Sequence, residues 1–264
     1  MTDPVTDPET DPETDPATDP EQEWHDLHPG LPDWLRPVER AAREITVHDL
    51  TRFMVPDDAD ASDSAVLMLF GEGEHGPDLL LTERSHTMRS HPGQVSFPGG
   101  RLEAGESHAE AALREAEEEV GLAPAGVDVF ATLPELWLPP SNFAVRPVLG
   151  WWREPSETWV RSPAEVHAVY RVPLAELRDP AHRIVVAGPS GWRSPGFLIG
   201  DDKDVILWGF TGGVVARLFE YLGWIEDLPE APERELPAYM LGGRPRQNTD
   251  VQPNTDFEAR RSPR

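Results

Sequence analysis

Apolar and polar positions divide the chain into short blocks whose spacing predicts its elements. Residues 65–70 and 79–81 are apolar runs separated by the glycine-rich stretch 71–78, which predicts two strands joined by a turn. Residues 94–97 predict another extended piece, closed by Pro98, Gly99 and Gly100. The period then changes: Ala109, Ala112, Leu113, Ala116 and Val120 recur at helical spacing and form one stripe suited to a core. Ser107 with Glu110 three residues later makes a capping box at the start of this helix, and Gly121 marks its end. Runs at 127–138 and 145–152 predict further strands. Residues 34–45 predict a short helix before the first strand, and 205–222, with Gly209, Gly212 and Gly213, a helix packed closely against a neighbour. Strands, helix, strands, helix is the order of an α/β (α+β) layer fold.

The ends of the chain do not continue these patterns. Residues 1–22 repeat Thr-Asp-Pro five times and carry eight acidic side chains with no basic one. Proline blocks helix and sheet ladders, like charges extend the chain, and little apolar surface is there to offset the entropy of ordering, so this tract is expected to be a disordered tail. Residues 23–60 are expected to be an N-terminal extension, 61–228 the main domain, and 229–264 a polar, flexible C-terminal tail.

Charge and composition narrow the chemistry. The formal net charge of −25 repels nucleic-acid phosphates, which argues against a DNA or RNA partner, while a small phosphorylated ligand could still bind where metal ions or arginines offset the repulsion. No apolar run approaches the ~20 residues needed to span a bilayer, and the N-terminus lacks the features of a secretory leader, so the expectation is a cytoplasmic protein without membrane partners. Without cysteine, any metal must sit on carboxylate, imidazole or carbonyl groups. The sequence leaves the oligomeric state open.

The helix at 108–120 supplies such groups. Glu115, Glu118 and Glu119 are neighbours at spacings of three and four, off the apolar stripe, and crowding like charges is costly unless a cation lies among them. A glutamate-rich helix face is ordinarily only solvated. Here the surroundings decide the matter. Gly100, Glu106, Arg114-Glu115-Ala116, Glu118-Glu119 and Gly121-Leu122 resemble the Nudix box, G-x5-E-x7-R-E-U-x-E-E-x-G-U with U apolar, at every fixed position. The resemblance implies the Nudix fold, a mixed sheet between helices, and hydrolysis of a nucleoside diphosphate derivative with Mg2+ or Mn2+. It makes Glu115 and Glu119 the leading metal ligands, with Glu118 also near the metal and Glu106 supporting the loop, while Arg114, one turn before Glu118, is placed to orient that carboxylate. A further catalytic carboxylate from outside the box is assigned to Glu165.

Upstream, Leu80-Leu81-Thr82-Glu83-Arg84-Ser85, Arg89, Gly93 and Phe97-Pro98-Gly99-Gly100 resemble the segment that precedes the box in Nudix coenzyme A pyrophosphatases, with one departure, Arg84 in place of threonine. Trp208-Gly209-Phe210-Thr211 is similar to a segment near the end of bacterial members of that group. The likeness implies cleavage of coenzyme A to 3′,5′-ADP and 4′-phosphopantetheine. Arg84, Arg89, Gly93, Phe97, Gly99 and Gly100, with His91 as a further candidate, are then expected to bind substrate; arginines suit phosphate groups, and glycines admit close backbone approach. The alternatives are a Nudix pyrophosphatase for ADP-ribose or a dinucleotide, a Nudix-like binding module without turnover, and an interaction protein built on the acidic tail.

Overall fold

Two helices precede the first strand, α1 (Arg36–Glu44) and α2 (Val47–Leu50). The computed structural model describes residues 28–51, 61–88, 90–138, 142–187, 191–228, 230–237 and 240. The acidic repeat at 1–22 and most of the expected C-terminal tail lie outside the described residues. The chain continues through β1 (Ser62–Gly73), β2 (Gly76–Arg84), β3 (Val95–Ser96), β4 (Gly99–Arg101), α3 (His108–Val120), β5 (Val127–Thr132), β6 (Leu136–Leu138), β7 (Phe143–Trp152) and β8 (Val166–Pro173). It ends with α4 (Leu174–Arg178), β9 (Arg183–Ala187), β10 (Arg193–Ile199), β11 (Val205–Leu207), α5 (Gly209–Tyr221) and β12 (Glu233–Glu235).

The main sheet has eight strands, with β3-β2-β1-β7-β5 as its central path, β4 paired to β1, β6 to β7 and β8 to β2. It is mixed: β1 and β7 run parallel, and the other pairs are antiparallel. Alternation along β1 explains the layering, since successive side chains point to opposite faces. Ala65, Leu67 and Leu69 pack with Ala112, Ala116 and Val120 of α3. Met68 and Phe70 join the core that contains Leu35 and Val38 from the N-terminal segment and Val215 and Phe219 of α5. The sheet therefore lies between helices, as expected. Each fully buried Leu or Phe there contributes about 1.5–3 kcal/mol relative to exposure, which makes the extension before residue 61 part of the core.

A smaller sheet, in the order β11-β10-β9-β12, packs against the same core. Three expectations change here. Residues 205–222 are not one helix: the β-branched pair Val205 and Ile206 pairs with β10, and the helix starts only at Gly209. The run 127–138 is two strands, β5 and β6, separated at Leu133-Pro134-Glu135, because proline has no N–H for a ladder. The expected tail contributes β12, which pairs with β9, so chain beyond 228 takes part in the fold.

Candidate active site

The loop and helix from Gly99 to Leu122 form a scaffold for carboxylates. Both reciprocal bonds of the capping box form: the Glu110 N–H donates to Ser107 Oγ at 3.3 Å, and the Ser107 N–H donates to Glu110 Oε2 at 2.9 Å. At the other end Gly121 takes φ 69°, in the left-handed region, where a Cβ would also run into the Trp159 ring. The last carbonyls of α3 find donors in the segment after β7: the Trp159 N–H donates to Val120 O at 3.1 Å, and the Arg161 N–H to Glu119 O at 3.0 Å. That segment leads directly to Glu165 and so ties it to the helix.

Gly99 and Gly100 are not simply a closing turn. They form β4, paired antiparallel with Val66 and Ala65 of β1. A Cβ on Gly100 would overlap the Glu115 carboxylate, and one on Gly99 would strike the backbone of Ala65 and Val66. The glycines thus let strand and helix carboxylates meet without an intervening side chain. The Gly99 N–H donates to Glu119 Oε2 at 3.3 Å.

Arg114 organises the box. Its Nε and Nη2 donate to the two oxygens of Glu106 at 2.8 and 3.0 Å, and Nη1 reaches Glu115 at 3.1 Å and Glu118 at 3.5 Å. The paired bonds to Glu106 hold the guanidinium in plane and fix the loop to the helix. The sequence indicated an orienting role for Arg114 toward Glu118; the shorter bonds go to Glu106 and Glu115.

Glu119 is the most strained of these acids. It is only 5% exposed, and burial, together with the charges of Glu115 and Glu165, pushes its carboxyl up to about 8 despite the Arg84 cation and the Gly99 N–H. Burial also raises Glu115, helped by Glu118 and Glu165 and opposed by Arg114. Glu165, exposed on its turn, therefore adds its field to the same cluster.

Arg84 ends β2 close enough to act on Glu119, and its Nε is buried with no hydrogen-bond acceptor. Gly93, at φ 66°, turns the chain back so that its N–H donates to Arg84 O at 3.1 Å. His91 accepts a positive φ of 55°, is bonded to Gln94, and has a ring held neutral-leaning by burial. Phe97 is not brought to the acidic face: it is 2% exposed and packs in the core with Val95 and Leu81. Arg89 lies outside the described residues. Sequence reasoning missed the Gly99 N–H as a partner for Glu119 and the segment 159–162 as the clamp on α3; neither has a side-chain signature, since both act through backbone.

These carboxylates, with Glu115 and Glu119 desolvated and incompletely neutralised by arginine, fit a hard divalent cation with oxygen ligands. The NUDIX domain family matches residues 61–187, which spans the main sheet, α3 and β9. The chain is 36% identical over 172 residues to Nudix hydrolase 15, mitochondrial, of Arabidopsis thaliana, a match covering 61% of this chain and 59% of that protein. It is 35% identical over 161 residues to the uncharacterized Nudix hydrolase NudL of Escherichia coli (strain K12), covering 56% of this chain and 76% of that one. Among solved structures it is similar to a Nudix hydrolase from M. Smegmatis, RenU, at 19% identity and a TM-score of 0.44, over 64% of this chain and 90% of the other. Among the described residues no helix is long and apolar enough to cross a membrane. The match to NudL, over 76% of that protein, and the box geometry agree: the chain belongs to the Nudix hydrolase family, whose members generally use divalent metal ions.

Proposed function

We propose that this protein hydrolyses the diphosphate of coenzyme A, giving 3′,5′-ADP and 4′-phosphopantetheine, with Mg2+ or Mn2+ held by Glu115, Glu119 and Glu118. The observation that carries the reading is Arg84: a cation with a buried, unpartnered Nε stands beside an over-crowded acidic cluster, in the segment that resembles the coenzyme A group.

A divalent ion held there would supply a more acidic water and charge neutralisation on the diphosphate oxygens. The rest falls to the chain's own groups. Arg114 fixes the loop to the helix and keeps Glu115 and Glu118 on one face. Glu119, buried among like charges, presents a carboxylate whose negative charge a bound cation would relieve. Glu165 stands at the rim on a turn tied to α3 and is assigned to proton removal from the attacking water. Arg84 orients the diphosphate, Arg89 is assigned to a phosphate of the same substrate, and Gly93, Gly99 and Gly100 leave room for backbone approach. Phe97 supports this face from the core behind it and makes no direct contact with substrate. The enzyme acts on a free small molecule, in the cytoplasm.

The test is a substrate panel with metal, products being identified by mass. Coenzyme A should be cleaved to the two named products faster than ADP-ribose or dinucleotides. Faster cleavage of one of those, or products retaining the intact diphosphate, would reassign the substrate.

A further inference from the structure

A second cluster of metal-binding side chains lies on the other face of the sheet. Alternation along β2 sends Arg84 toward α3 and Glu83 the other way, toward the side where Leu79 and Leu81 join the large core. Glu83 is 1% exposed; its Oε1 is 2.7 Å from His86 Nε2, and its Oε2 accepts from the Tyr170 hydroxyl at 2.6 Å. The His86 ring lies against that of His167, with centroids 4.3 Å apart and planes 30° from parallel. A β-bulge explains how His167 arrives: Glu83 pairs with Ala168 and Arg84 with Val166, so His167 is the extra residue and is re-aimed toward the cluster. One oxygen of Glu83 and one ring nitrogen from each histidine all lie within 4.8 Å of one another, and among the described residues no other three such groups converge as closely.

We propose that Glu83, His86 and His167 form a zinc site separate from the carboxylate face of α3. Two imidazoles and one carboxylate are a donor set for Zn2+; with bonds of about 2.0–2.2 Å the ion would release to solvent the proton shared by Glu83 and His86, part those two atoms slightly and draw His167 in. His86 is buried and fixed by Glu83, whereas His167 is exposed, so the larger movement falls on His167. Tyr170 keeps its bond to Glu83 Oε2 and orients the carboxylate from behind, the usual outer support of a metal ligand. Magnesium does not compete well, because it prefers an all-oxygen shell and imidazole favours zinc, so the two faces of the sheet sort two kinds of cation. Zinc here would join the turn after β2 to the start of β8. Those segments carry Arg84 and Glu165, and they are already linked by the Ser85 N–H donating to Glu165 O at 2.6 Å.

The experiment uses full-length, tag-free protein stripped with chelator and titrated with Zn2+ in excess Mg2+, with Co2+ as a coloured probe in parallel. Wild type and Glu119→Gln should each retain one zinc against a competing indicator, and Co2+ should give visible absorption bands of a site with nitrogen ligands. His167→Ala, which alters an exposed side chain and keeps the fold, should weaken zinc by at least ~10-fold, the least expected when even an outer partner of a metal is lost, and should abolish the bands. His86→Ala should do the same. Retention that survives His167→Ala, retention lost in Glu119→Gln, or no retention in wild type would each overturn the proposal.

Discussion

Glu119 and Glu83 are both buried carboxylates beside the central sheet, but on opposite faces, and their surroundings differ in kind. Glu83 accepts from His86 and Tyr170 at 2.7 and 2.6 Å, two short bonds from neighbouring side chains. Glu119 has one long bond from the Gly99 N–H at 3.3 Å and stands in the field of Glu115 and Glu165. Burial alone therefore does not mark the reactive acid. What marks it is burial without enough donors, which leaves the anion dependent on something brought from outside.

The largest expected effect comes from removing that anion. Glu119→Gln keeps shape and helix preference but is a poorer ligand for a hard cation, so metal-dependent turnover should fall by at least ~100-fold, the scale of one well-placed electrostatic group. The fold should survive. Near-normal turnover of the folded variant would break the contrast between the two faces. Without metal, the same change should stabilise the protein, with a defined dependence on pH. The Glu119 carboxyl titrates near 8 when folded against an ordinary value of 4.5, so ionisation favours the unfolded chain progressively as pH rises from 4.5 to 8. In chelator, the melting advantage of Glu119→Gln should be small below pH 4.5, grow through neutrality and level off above about 8. A pH-independent difference would mean that burial does not strain the Glu119 anion.

Gly100→Ala tests the geometry rather than the charge. Its Cβ would overlap the Glu115 carboxylate, the movable end of a side chain, so the carboxylate is displaced while β4 keeps its pairing. Misplacing a catalytic group by about 1 Å costs up to ~100-fold, and a fall of roughly 10- to 100-fold in kcat at nearly unchanged melting temperature is expected. Loss of folding instead would assign this glycine to the sheet alone.

The difference between the faces was only half legible in the sequence. Glu115, Glu118 and Glu119 stood out because helical spacing puts them together and fixed positions surround them. Glu83, His86 and His167 did not, because the bulge that aims His167 leaves no mark in local spacing and the strands it joins are 85 residues apart at Glu83 and Ala168. The same limit applied to elements. A capped helix with an apolar stripe was read correctly from end to end at His108–Val120. The strand β12 depends on pairing with the distant β9, which no short window displays, whereas β9, β10 and β11 follow one another as antiparallel neighbours whose short apolar runs were not read as strands. Phe97 shows the converse: its place in a motif suggested ligand contact, whereas its apolar ring obeys burial.

Glu83→Gln probes the well-satisfied side. The change keeps the shape but replaces an acceptor pair by one acceptor and one donor, so either His86 or Tyr170 meets an amide N–H where it had an oxygen. A loss of about 1–3 kcal/mol in stability by denaturant titration is expected, more than Glu119→Gln produces in the absence of metal, where a gain is expected. If both variants move stability in the same direction, the distinction drawn from hydrogen bonding fails.

The smallest effect belongs to the acidic repeat, and it separates local from overall charge. Residues 1–22 carry eight of the acidic side chains of a chain whose net charge is −25, and they bear on an anionic substrate only through the long-range field. That field is screened over about 8 Å at physiological ionic strength, and the repeat has little apolar surface with which to anchor itself near the site. Deleting 1–22 should leave melting temperature and kcat unchanged. KM should fall by less than ~2-fold, and only at low salt, where the Debye length reaches about 30 Å and repulsion slows encounter. The decisive measurement is KM against ionic strength for both forms. Convergence of the two curves at high salt would confine the tail to a diffuse electrostatic role, whereas a salt-independent change in kcat would show that the repeat touches one of the two faces directly.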